Sequence, residues 1–80
     1  MKPVVKQDWL ESEAGWGMRP DGYTLHLTEA DRVKFIEDYW KRMPDAIPDE
    51  YSRPSGSPTV KDVDSVTYAE IQASKNGKWY

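Results

Sequence analysis

TEADRVKFIEDYWKRM, residues 28–43, carries more agreeing helix signals than any other stretch of the chain. Thr28 heads it as an N-cap, its hydroxyl placed to accept from an unpaired amide of the first turn. Asp31 stands where the acid of a capping box stands. Glu29 and Asp31 put negative charge at the positive end of the helix dipole, and Lys41 and Arg42 put positive charge at the other. Val33, Ile36, Trp40 and Met43 recur at the spacing of one helical face, with Tyr39 beside them and Phe35 at the margin. Glu37 with Lys41 and Asp38 with Arg42 are spaced for ion pairs on the remaining surface. The pattern predicts an amphipathic helix that ends at Pro44. Tyr39 and Trp40 are assigned to holding the preceding strands, and Phe35 is the ring free to reach a partner.

Upstream, residues 15–27 read GWGMRPDGYTLHL. Pro20-Asp21-Gly22 has turn chemistry, and Tyr23, Leu25 and Leu27 then alternate with Thr24 and His26. A β-hairpin over 15–27 is expected, its second arm running directly into the helix, which would fold back over one face. Residues 1–14 read as a lead-in, with a short edge strand through Val4 and Val5 as the alternative. Pro3 argues against a central strand there, and Asp8, Glu11 and Gly15 are spaced to begin and end a short helix.

Downstream, residues 44–58 hold four of the six prolines. They read as an irregular loop, pinned by Ile47 and Tyr51 and stiffened by proline. Thr59 to Val63 is expected as a short third strand, and residues 65–75 as a second helix opened by Asp64 or Ser65, with Thr67 as a competing start. Asn76-Gly77 closes that helix. Trp79 and Tyr80 then either dock into the core or await a partner. The predicted fold class is α+β, a small single domain over 1–80 with a hairpin and a third strand packed against one main helix and a second, C-terminal helix.

Eighty residues without cysteine leave no disulfide framework and no cysteine zinc site. A chain of this length buries about 60–65% of the surface its unfolded form exposes, so its stability is modest. No apolar run reaches the length of a membrane span, and MKPVVKQDWLESE holds no apolar segment of signal-peptide length. A cytoplasmic protein is expected, with no membrane partner. The net charge of -3, both signs interspersed, lacks the concentrated basic patch of a DNA-backbone binder.

His26, the single histidine, is the natural general base. The alternation turns it away from Leu25 and Leu27, and no nucleophile signature accompanies it. Glu37-Asp38, Asp49-Glu50 and Asp62 with Asp64 lack calcium-loop spacing and read as solvated acids, so no cofactor or metal is expected. Four Trp and five Tyr in a chain of mean hydropathy -0.87 are the unusual feature. Trp16, Phe35, Tyr51, Arg53, Trp79 and Tyr80 are interface residue types, mostly on turns, loop or terminus. The expected function is a non-catalytic protein-protein interaction module, a regulator or inhibitor of a larger protein, of the type common among phage and mobile-element accessory proteins. Two alternatives stand beside it. One is a single-stranded nucleic-acid-binding domain that stacks bases on Trp and Tyr beside Lys and Arg, and the other is a small enzyme using His26.

Overall fold

The computed structural model describes residues 1–13, 17–43 and 51–80. It is an α+β fold: β1 (Lys2–Glu13), β2 (Gly17–His26), α1 (Glu29–Lys41), β3 (Tyr51–Val63), α2 (Ser65–Ala73) and β4 (Lys78–Trp79). The strands form one antiparallel sheet in the order β3-β1-β2-β4. Thirteen residues of β3, at about 3.3 Å each, span the molecule's 41 Å long axis.

The expected lead-in, short edge strand through Val4 and Val5, or helix over 1–14 is instead one long central strand. Val4 and Lys6 face one side of β1 while Val5, Gln7 and Trp9 face the other, and two neighbouring strands supply the hydrogen bonds a lone helical turn would lack. Pro3 is tolerated because it pairs only with Asp62 of β3, the β2 ladder beginning at Val5. The hairpin is therefore β1 with β2, and its connection at 14–16 lies outside the described residues.

Pro20-Asp21-Gly22, expected as a turn, is a β-bulge. Asp8 pairs with Tyr23 and Leu10 with Pro20, so Trp9 alone opposes Asp21 and Gly22. Gly22 has φ +86, and a Cβ there would stand 2.6 Å from the Tyr80 carbonyl oxygen. Turn chemistry supplied the backbone freedom, but the strand continues through it.

The expected loop over 44–58 divides: 44–50 lies outside the described residues, while 51–58 belongs to β3, so the third strand is far longer than Thr59 to Val63. Pro54 and Pro58 survive because β3 is an edge strand with one side unpaired. Lys6 pairs with Thr59 and Asp8 with Ser55, so Gly56, Ser57 and Pro58 bulge opposite Gln7. The buried Gln7 amide holds this bulge, donating to the Ser55 and Gly56 carbonyls at 3.0 and 3.4 Å.

Thr28 caps α1, accepting from the Asp31 amide at 3.1 Å. The expected packing stripe is corrected: Val33 and Trp40 are 41% and 37% exposed. Arg32, Phe35 and Tyr39 face the sheet instead. Arg32 donates to the Gln7 side-chain oxygen at 2.8 Å, Tyr39 donates to the Ser52 carbonyl at 2.5 Å, and Phe35 meets Trp9 and His26 edge-on. Phe35, expected to reach a partner, is thus an internal contact.

Asp64 caps α2, accepting from the Thr67 amide at 2.7 Å. The helix ends at Ala73, two residues before the expected end. It lies on the sheet face opposite α1, where Val4, Leu25, Val63 and Ile71 form the aliphatic core with Tyr23, Leu27 and Tyr68 packed against it. Asn76 (φ +66) and Gly77 (φ +152) then return the chain to β2 as β4, docking Trp79 and Tyr80.

Candidate functional site

Alternation along β2 places His26 and Thr24 under α1 and Tyr23 and Leu25 on the other face. The two faces carry different chemistry, and His26 decides what the first can do. His26 and Thr24 have no exposed surface, and Trp9 has almost none. The Trp9 indole N–H donates to the Thr24 hydroxyl at 2.9 Å, and that hydroxyl lies 2.7 Å from His26 Nε2. Nδ1 lies 2.7 Å from the Asn76 carbonyl, which can only accept, so the neutral ring carries its proton on Nδ1. Nε2 then accepts from Thr24. Every group in this chain has a partner, and burial pushes the His26 pKa below its ordinary 6.5. Opposing that, the Asn76 carbonyl favours the charged ring, while the Arg32 guanidinium disfavours it. The base of the enzyme alternative is therefore an enclosed joint between β2, α1 and the segment leading to β4.

The opposite face carries the candidate binding surface. Tyr23 stacks on Tyr80, with ring centroids 5.9 Å apart and planes 14° from parallel. Their backbones are paired as well, the Tyr80 amide donating to the Tyr23 carbonyl at 2.8 Å. The ammonium groups of Lys6 and Lys61 lie 4.7 and 5.9 Å from the Tyr23 ring centre. Lys6 also meets Asp8 at 3.6 Å, on a side chain that is itself 61% exposed. Among the described residues Lys61 has no carboxylate within ion-pair distance. Beside the tyrosine pair opens a cleft of about 270 Å³, floored by Leu25 and Val63 and bordered by Asp62, Asp64, Thr67 and Met1.

Glu70 fixes the far side of this surface. It accepts from Lys78 at 3.0 Å and from the Tyr80 hydroxyl at 3.2 Å, and these two bonds hold its pKa below the usual carboxylate value. The same contact raises Lys78. Tyr80 is raised first by its partial burial and then by this bond.

The residues singled out from the sequence are distributed unequally. Tyr80 is at the surface just described. Trp79 is on the α1 side of the same edge, 39% exposed, its ring against Trp9 and Phe35. Arg53 is on the β3 edge, where Nη2 approaches Met18 Sδ at 2.9 Å, and Tyr51 meets Trp40 at the end of α1. Trp16 lies outside the described residues. The structure therefore does not gather Tyr51 and Arg53 with Tyr80. The residues missed by the sequence reading are Tyr23, Lys6 and Lys61, whose convergence depends on three neighbouring strands in register. Only Tyr23 carried a signal, as the first large ring of an alternating strand.

Among the described residues no group of three or more His, Asp or Glu is placed to hold a metal ion, and no helix is long and apolar enough to cross a membrane. No protein family, curated protein or solved structure matches the chain.

Proposed function

We propose that the protein is a binding module that acts by contact with another protein, without turnover, as a regulator or inhibitor of a larger assembly. The observation that carries this reading is the placement of Tyr80 and Trp79. Both rings are anchored by the fold, through Tyr23 and through Trp9, yet stay 40% and 39% exposed. Anchored, half-exposed aromatics are the rigid contact groups that dominate protein interfaces, because little side-chain entropy remains to be lost on binding. The full engagement of both His26 nitrogens weighs against the enzyme alternative, since a general base must reach the proton it takes.

The test is affinity capture from the native host by the tagged protein, followed by size-exclusion of the reconstituted pair. A stoichiometric protein partner lost on Tyr80→Ala, with the circular dichroism spectrum unchanged, is expected. Capture of no protein, together with salt-sensitive retention of single-stranded DNA or RNA, would replace this reading with the nucleic-acid one.

A further inference from the structure

We infer that the surface formed by Tyr23, Tyr80, Lys6 and Lys61 is a receptor for an acidic-apolar segment of a partner protein, its carboxylates meeting the two ammonium groups and its apolar side chain filling the adjoining cleft. This rests on the protein-binding reading above. Lys61 lies opposite Val4 and Lys6 opposite Thr59, so the two lysines are diagonal neighbours on one face of adjacent strands. Both ammonium groups then approach the ring of Tyr23 on β2. A cation over the face of a half-buried ring gains only about 0.5–2 kcal/mol, so both ammonium groups keep charge to offer a carboxylate.

The carboxylates already nearby do not perform this role. Asp64 is occupied as the cap of α2, and Glu70 by Lys78 and the Tyr80 hydroxyl. Asp8 reaches only Lys6, at 3.6 Å from a largely exposed position. Asp62 and Asp64 also line the cleft. That arrangement distinguishes the occupant. A uniform polyanion such as a nucleic-acid strand, laid across the lysines and the cleft, meets two aspartates on a protein of net charge -3. A peptide whose acidic residues are followed by an apolar one meets lysines first and then Leu25 and Val63. The stacked pair of Tyr23 and Tyr80 gives that peptide a flat aromatic wall.

The probe is a capped short peptide of two glutamates followed by leucine, titrated into the amide-labelled full chain and followed by NMR. Saturable shifts at Tyr23, Lys61, Val63 and Tyr80 are expected, weakened about tenfold when both glutamates become glutamine and about tenfold or more by K61E. A peptide with lysines in place of the glutamates should regain binding to K61E. An unchanged indole resonance of Trp9 reports that K61E is folded. Shifts located elsewhere, equal affinity for the glutamine peptide, no saturable shift, or tighter binding of an oligothymidylate would each overturn the inference. Capture of the native partner by K61E at the wild-type level would also overturn it while leaving the binding reading intact; capture of no partner by the wild type refutes that reading itself.

Discussion

Replacing Thr24 by valine tests the enclosed polar chain most directly, because shape is kept and only the hydroxyl is lost. Thr24 has no exposed surface, and its oxygen accepts from Trp9 Nε1 and donates to His26 Nε2. Valine orphans both neighbours at once, in a site that water does not reach. Leaving a buried donor or acceptor unsatisfied costs about 1–3 kcal/mol, so two orphans together cost about 2–6 kcal/mol. Against a whole-domain stability of about 5–15 kcal/mol that is a large fraction, equivalent to a fall in Tm of at least about 8 °C for a domain this size. Thr24→Ser keeps the hydroxyl and drops one methyl, for about 0.8 kcal/mol. Urea unfolding followed by tryptophan fluorescence measures both variants, with unchanged m-values required for the comparison. The expected order is wild type, then serine, then valine. A valine variant that loses less than about 0.5 kcal/mol, or that is more stable than the serine variant, would refute the argument that this chain is dry and fully paired.

Two further predictions concern the same joint. Because the folded His26 pKa lies below its ordinary 6.5, the unfolded chain binds a proton that the fold resists. The contribution of His26 is therefore complete above about pH 6.5, and it is lost as pH falls from there through the folded pKa, at no more than about 1.4 kcal/mol per pH unit. Glu29, Glu70 and Asp64, all lowered in the fold, add losses of the same sign at more acid pH. With one histidine in the chain, its imidazole resonance titrates without ambiguity, and a midpoint at or above the ordinary value contradicts the burial account. Gly77→Ala places a Cβ 2.2 Å from His26 Nδ1 at φ +152, a backbone region that costs about 1–3 kcal/mol before the collision is counted. Hydrogen exchange should show β4 and the amide of Tyr80 losing protection first, and a variant with wild-type protection at Tyr80 would contradict the close approach.

How much of this was legible in the sequence varies with how local the cause is. The starts of α1 and α2 were readable because Thr28 and Asp64 act within three residues of themselves, whereas α1 ends at Lys41, two residues before the expected end. Of β1 only a short strand at Val4 and Val5 was readable, and its length and central place were not, since Trp9 beside Leu10 hides an alternation that separates the two faces of the sheet. β3 was concealed by Pro54 and Pro58, which a central strand would exclude and an edge strand accepts. The turn chemistry of Asp21 and Gly22 was read correctly as backbone freedom and wrongly as a reversal, because a bulge and a turn use the same residues. The rotation of α1 has a different cause. The sheet beneath it presents Gln7, Thr24 and His26, so Arg32 turns inward to the Gln7 oxygen, and the aromatic edges of Phe35 and Tyr39 pack there in place of Val33 and Trp40. Hydrophobic periodicity cannot register a helix whose buried face is chosen by hydrogen bonds.

The same difference between the faces explains why binding chemistry accumulates on the side away from α1. At about 1.5 Å per residue, the nine residues of α2 reach about 14 Å along a sheet whose long strands span most of the 41 Å axis. α2 therefore covers Val4, Leu25 and Val63, and among the described residues no helix covers the sheet beyond them, including Leu10, Met18, Pro20 and Arg53, which share that face by register. Tyr23 and Tyr80 stand where coverage ends. The tightly paired joint of Trp9, Thr24 and His26 lies across the sheet under α1, so substitutions at Lys6, Lys61 or Tyr80 remove contact groups without orphaning a buried polar atom. Loss of binding with stability retained at these three positions, and loss of stability at Thr24, is the division of labour that this two-faced sheet requires.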